Sequence, residues 1–367
     1  MNDNIEFEKH FFRPVCNEQE IERIFNVKNA NDYLLKLRAE TIVDHMRLFR
    51  VYRNKALMDE KNWSLEGSFD CSHYDAFLHH LPPEDEEKCR PITYGNIFSN
   101  DPNGTIFATA YGPIVTISDS LGFFFKFMHL ALLDFGATVP THVRLNALRI
   151  AIRVMLNTEA LDFLMDPRGI VPRDIGEAMH SPIPYQLRFI AGHEFAHHLL
   201  GHLSKANVES KPVYFAISKN DQDYKPSKVY SRRQKDELDA DRLSLVLPRY
   251  EANESKLVLE TALIWFGCLE LYEAVCEAIC PKAPWAYETH PSARERFENL
   301  LTNTPASVRL DLEHWRGFTT VIDRLKKFLL EDVSLHSESY ETYGSVYLDK
   351  PNTEWRGPEL RDRVDYY

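Results

Sequence analysis

The stretch RFIAGHEFAHHLLGHL (residues 188–203) sets four histidines and one glutamate in a run that otherwise has the composition of a buried helix. His193 and His197 are four residues apart, and on an α-helix such positions lie about 40° apart and one turn along the axis. Both imidazoles therefore reach one cation. Glu194 lies about 100° round the helix, where its carboxylate can hold a water bound to that cation. The stretch predicts a metal-binding helix; the alternative is a helix whose histidines simply lie at its surface.

A third ligand is expected from a second helix. The extension HExxHxxGxxH is absent, because Gly201 and His202 fall at other offsets. The acidic run QKDELDADRLSLVL (residues 234–247) instead supplies Glu237 and Asp241, again four residues apart. Glu237 completes a His₂Glu zinc site, and Asp241 on the same face accepts the second ring N–H of a ligand histidine. The alternative interpretation is an acidic, solvent-exposed helix face.

The composition of the chain limits the classes of protein to which it can belong. The chain has 367 residues, 44% of them hydrophobic, and a formal net charge of −12. An acidic chain without a dense Lys/Arg tract is a poor nucleic-acid binder. The N-terminal residues are acidic, whereas a signal peptide begins with basic residues. No hydrophobic run reaches the length of a membrane span. The six cysteines form no CxxC motif. We therefore expect a cytoplasmic protein with reduced thiols, no membrane insertion and no nucleic-acid partner.

Hydrophobic periodicity predicts an α+β fold that is predominantly helical. Residues 1–92 form an N-terminal helical extension, in which the run LPPEDEEKCRP (81–91) reads as a linker or loop. Residues 93–335 form the main domain, beginning with β-rich runs on either side of Asn103-Gly104 that predict a small antiparallel sheet. Residues 336–367 form a polar, tyrosine-rich tail that is either disordered or lies along a groove.

The motif pair HEFAHHLLGH and ELDADR resembles the gluzincin metallopeptidases, of the kind represented by CAAX prenyl protease and bacterial heat-shock protein X. FATAYGPIVTISDSL (107–121) is similar to the edge strand and following helix start of that family, and THPSARERFENL (289–300) to its closing His-Pro segment. The resemblance covers roughly residues 95–302. It implies that residues 93–335 form a zincin-like domain with an active-site helix, and that the edge strand pairs with the substrate backbone.

The resemblance also implies an activity. The chain would be a zinc-dependent metalloendopeptidase with one Zn²⁺ held by His193, His197 and Glu237, acting on an intracellular protein or peptide. Glu194 would assist attack of zinc-bound water on the peptide bond. His290 and Arg296 would line the site and hold the substrate carbonyl or the oxyanion; otherwise they are a loop histidine and a helix-surface arginine.

Two departures from that family leave alternatives open: the chain has no membrane span, and about 55 residues are inserted between the strand segment and the zinc helix. The family is usually membrane-embedded, and a chain with a helical extension and no span is more like the phage-exclusion (Lit-type) peptidases. A different class of function is a catalytically silent, zinc-stabilised scaffold or sensor with a peptidase-like fold. A third is a latent protease that its own tail holds inactive. The basic and aromatic residues of segment 204–231 indicate either a lid or a solvated insertion.

Overall fold

The computed structural model describes residues 2–99, 102–202, 208–210, 228–230, 234–281, 291–304 and 308–358. Most of these residues are helical, as predicted. Six α-helices precede the sheet: α1 (Asn2–Phe12), α2 (Glu18–Phe25), α3 (Ala30–Asp44), α4 (Met46–Met58), α5 (Ser72–His79) and α6 (Pro83–Cys89). The start of α2 is fixed by a reciprocal cap, in which the Asn17 side chain accepts from the Glu20 N–H and the Glu20 carboxylate accepts from the Asn17 N–H.

The run 81–91 contains helix α6 and is not the loop that we predicted. Its prolines suggested a break, but Pro83 occupies the first turn of the helix, where a missing N–H costs nothing. Glu84, Asp85 and Glu86 follow in that turn and interact favourably with the positive end of the helix dipole. The same residues that indicated a loop therefore begin a helix.

The sheet is mixed, whereas the sequence predicted an antiparallel one. Its strands are β1 (Thr93–Ile97), β2 (Gly104–Thr109), β3 (Gly112–Ser118), β4 (Val208–Ser210) and β5 (Lys228–Tyr230), in the order β1-β3-β2-β5-β4. Strands β2 and β3 form the hairpin, and β1 pairs with the far edge of β3 and runs parallel to it. The hairpin turn is at Ala110 and Tyr111, and Asn103-Gly104 lies where the chain enters β2, whose first residue is Gly104. Strand β3 therefore lies between β1 and β2, and β5 pairs with β2 at Ala108.

The remaining helices surround the helix that carries the opening stretch. They are α7 (Ser120–Leu132), α8 (Thr141–Met155), α9 (Arg173–His180), α10 (Ile183–Leu199), α11 (Gln234–Val246), α12 (Ala252–Ile279), α13 (Ala293–Thr302), α14 (Leu312–His336) and α15 (Glu338–Glu341). Helix α10 packs against α5, α11, α12 and strands β2 and β3. Phe77 of α5 stacks on Phe195 of α10, and Gly192 makes room for it, since a Cβ there would lie 2.5 Å from the Phe77 ring. The N-terminal helices thus contribute directly to the support of α10.

The described part of the C-terminal tail lies against α8 and the loop that follows it. Buried Arg168 pairs with Glu159 and Asp162, and the Glu159 carboxylate accepts from the Val346 N–H. A backbone bridge joins Glu159 to Gly344 beside these pairs. Ion pairs with so little exposure are costly to break singly, so they fix where the tail runs.

No helix within the described ranges is both long enough and apolar enough to cross a bilayer. His290, and most of segment 204–231 for which a lid or an insertion was considered, lie outside the described residues.

Two buried histidines outside the candidate site make the fold sensitive to acid. Burial lowers the pKa of His73 and of His129 to about 4, from an ordinary value of about 6.5. The unfolded chain therefore binds protons below pH 6.5 that the folded chain takes up only near pH 4, so falling pH favours unfolding. We expect a loss of about 3 kcal/mol for each histidine between pH 6.5 and 4.

This loss can be measured by urea unfolding across that pH range. His129 Nδ1 donates to the Met179 carbonyl at 2.6 Å, a bond that the amide of a His129→Gln variant can replace without titrating. The variant should therefore show a shallower dependence of unfolding free energy on pH than the wild type. Equal slopes for the two proteins would contradict the assignment.

Candidate metal centre

Helices α10 and α11 bring three potential ligands to one point. His193 Nε2 and His197 Nε2 lie 3.0 Å apart. Glu237 Oε2 lies 3.4 Å from His193 Nε2, and Glu237 Oε1 lies 3.3 Å from His197 Nε2. All three side chains are buried, and they form a possible metal-binding group. The acidic run of α11 therefore supplies a buried glutamate to the centre and is not only a solvated face.

The spacing of these atoms suits a tetrahedral cation. Nitrogen and oxygen ligands about 2.0–2.1 Å from Zn²⁺ stand about 3.3–3.4 Å from one another at the corners of a tetrahedron. The two Nε2 atoms are 3.0 Å apart, and each lies 3.3–3.4 Å from a different oxygen of the Glu237 carboxylate, so the three groups face one small space. The donor set of two imidazoles and one carboxylate is also one that zinc prefers in catalytic sites. The residues present are therefore compatible with a bound metal ion.

Charge supports the same conclusion. Glu194, Glu237 and Asp241 are fully buried and Arg296 is 2% exposed, so three buried acidic side chains stand beside one buried guanidinium. Excess charge of one sign is costly inside a protein. A divalent cation bound between the two histidines and Glu237 would offset this excess of acidic groups.

Asp241 and Arg296 hold the far side of the His193 ring. His193 Nδ1 lies 2.8 Å from Asp241 Oδ1, and Arg296 donates to both Asp241 oxygens, at 2.6 and 2.8 Å. Burial raises the pKa of Asp241, but Arg296 and His193 outweigh it and lower that pKa. Burial lowers the pKa of His193, but Asp241 outweighs it and raises that pKa. Asp241 thus accepts the Nδ1–H of His193 and leaves Nε2 facing Glu237 and His197.

Arg296 has its guanidinium group over the rings of Trp265 and Phe266, with centroids at 5.3 and 4.7 Å. It contacts the Nδ1 side of His193, on the other side of the ring from the three potential ligand atoms. This position makes Arg296 a support for Asp241. A direct contact between Arg296 and a substrate stays a prediction, as does any role for His290.

His202 is a neighbour of the centre, where the sequence pattern gave it no place. Its Nδ1 atom lies 2.9 Å from His197 Nδ1, and its Nε2 atom lies 3.6 Å from Asp236 Oδ1. The offset of His202 from His197 does not match a third-ligand motif, so the motif search passed over it. Gly201 was the signal that could have found it, because its φ of +69° turns the chain back at the end of α10.

Glu194 lies beside the potential ligands without joining them. Its Oε1 atom is 3.9 Å from His193 Nε2, and the side chain is fully buried. It packs on Gly104 of β2, where a Cβ would stand 2.6 Å from Glu194 Cγ. Because Gly104 has no side chain, the Glu194 side chain can lie against strand β2 at this point.

Comparisons with known proteins found no relative: no family model, no curated protein and no solved structure matches the chain.

Proposed function

We propose that this protein is a zinc-dependent metallopeptidase that hydrolyses peptide bonds of a protein or peptide substrate. The observation that carries the proposal is the convergence of His193, His197 and Glu237 on one point, with the Glu194 carboxylate beside them. Two imidazoles and a glutamate, with a second glutamate next to the first histidine, suit hydrolysis by an activated water. The resemblance of both motifs to gluzincins supports a peptide as the substrate.

Each side chain has a role in this proposal. When bound, Zn²⁺ supplies Lewis-acid chemistry and lowers the pKa of a water to about 7. A Glu194 carboxylate oxygen would take a proton from the attacking water as the water oxygen bonds to the carbonyl carbon, and would pass that proton to the amine nitrogen as the peptide C–N bond breaks. Asp241 keeps the proton of His193 on Nδ1, so that Nε2 is available as a ligand. Arg296 keeps Asp241 ionised and in place.

A catalytically silent scaffold is the competing function, and the surroundings of Glu194 weigh against it. A scaffold needs the three ligands but has no use for a buried carboxylate 3.9 Å from a ligand nitrogen. The scaffold would be favoured if zinc bound fully and no peptide were cleaved.

The proposed activity is tested by incubating the protein with a diverse peptide library and identifying products by mass spectrometry. We expect cleavage by the zinc-loaded protein, loss of cleavage after chelation, and recovery when Zn²⁺ is restored. A library that stays intact with a protein shown to hold zinc would favour the scaffold.

A Gly104→Ala substitution tests whether the position of Glu194 matters. The new Cβ would stand 2.6 Å from Glu194 Cγ and 3.1 Å from Ile190 Cγ2, so the glutamate must move. Because a displacement of about 1 Å at a reacting group costs roughly 10²-fold in rate, we expect a loss of that order. Zinc content should stay unchanged, since no ligand is touched. Full activity in a correctly folded variant would mean that the carboxylate does not need this position.

A further inference from the structure

We infer that His202 and Asp236 are positioning residues, which orient the His197 ring and keep its Nε2 atom available to the metal. The inference rests on the proposed metal centre and adds to it a support for the second histidine. It concerns metal affinity, so it stands or falls independently of whether the protein cleaves peptides.

The tautomer of His197 decides which of its ring nitrogens is available to the metal. A neutral imidazole that offers Nε2 to a metal carries its proton on Nδ1, and this N–H needs an acceptor. The atom 2.9 Å from His197 Nδ1 is the Nδ1 of His202, so that atom accepts the bond. His202, if neutral, then carries its own proton on Nε2, which faces Asp236 Oδ1 at 3.6 Å. This last separation exceeds a direct hydrogen bond and suits a carboxylate that attracts the N–H through space or through water.

The backbone brings His202 and Asp236 together near the His197 ring. Helix α10 ends at Leu199, and Gly201 in the left-handed region reverses the chain, so that His202 folds back on the last turn. Helix α11 then supplies Asp236 from its first turn, directly before the proposed ligand Glu237. The first turn of α11 therefore provides both the proposed ligand Glu237 and the carboxylate of Asp236, which lies near the His202 ring.

The two histidines are supported differently. Behind His193, Asp241 is fully buried and is fixed by a double hydrogen bond from Arg296. Behind His197, the side chains of His202 and Asp236 are 13% and 34% exposed. Solvent competes for such groups, so the support of His197 should be the weaker of the two. Loss of His202 should therefore reduce affinity without abolishing binding.

The test is a measurement of Zn²⁺ affinity by competition with a chromophoric chelator. Loss of a support behind a ligand histidine typically costs about 10- to 100-fold in metal affinity, and we expect a reduction in this range for His202→Ala. His202→Asn should recover part of the loss, because its amide oxygen can accept the Nδ1–H of His197. Asp236→Asn should weaken affinity by less than His202→Ala does.

Matched controls separate positioning from general damage. His198→Ala removes the neighbouring imidazole, which lies 3.2 Å from the Lys88 carbonyl, and Asp239→Asn removes an equal charge from α11. Both should leave zinc affinity unchanged. The inference is overturned if wild type binds zinc and His202→Ala binds it equally well, or if His202→Ala and His202→Asn lose affinity equally while keeping wild-type helix content. Absence of zinc from the wild type would instead refute the metal centre itself.

Discussion

Replacement of Glu194 with glutamine is expected to lower the rate of peptide hydrolysis by about 10²- to 10⁴-fold, the usual contribution of a general base. Glutamine has nearly the same shape, so its side chain can still pack on Gly104. Its amide cannot accept the proton of a water, and this is the step assigned to Glu194. The change should appear in the single-turnover rate constant for cleavage of a peptide that the wild type cleaves.

Zinc content provides the control for this substitution. Because Glu194 lies beside the three potential ligands and is not one of them, Glu194→Gln should retain about as much zinc as the wild type. The variant would then hold substrate without cleaving it, and could be used to capture substrates from a lysate. Unchanged turnover in Glu194→Gln would contradict the assignment of Glu194 as the base.

Replacement of His197 with alanine is expected to abolish stoichiometric zinc binding. The substitution leaves two of the three ligands, and it also removes the hydrogen-bond partner of His202 Nδ1. A ligand that binds only the folded state stabilises it by about 2.7 kcal/mol at a concentration one hundred times its Kd. The wild type should therefore melt at a higher temperature when zinc is added, and His197→Ala should not.

The His198→Ala variant is the matched control for this substitution, since it loses the same group one residue further along α10. Its zinc-dependent rise in melting temperature should equal that of the wild type. Glu237→Ala should behave like His197→Ala, because Glu237 contributes the third ligand atom from another helix. Full zinc binding by both ligand variants would show that the metal lies elsewhere.

The candidate centre could largely be predicted from sequence because its residues lie on helices at a spacing of four. The 3.6-residue period places His193 and His197 on one face, and Glu237 and Asp241 on another. That the two helices meet could be inferred only from the chemistry of the four residues. Their contact is set by packing of α10 and α11, for which the sequence offers no direct signal.

The sheet shows what the sequence could not supply. The β-rich runs between residues 93 and 118 indicated strands. Which strands pair, and in which direction, depends on tertiary contacts that the sequence pattern does not show. Asn103-Gly104 is a strong turn signal by local preference, and here Gly104 serves a different need, the close approach of Glu194. The place of His202 could not be predicted for a related reason, since a φ of +69° at Gly201 brings it back to the centre from an offset that no motif contains.

The zinc content of untagged protein, purified without added metal and then titrated with Zn²⁺, tests the central claim most directly. The geometry of His193, His197 and Glu237 predicts about one zinc per chain, either as purified or after titration. A protein that holds no zinc and takes up none would contradict the metal centre, and the proposed peptidase activity would fall with it.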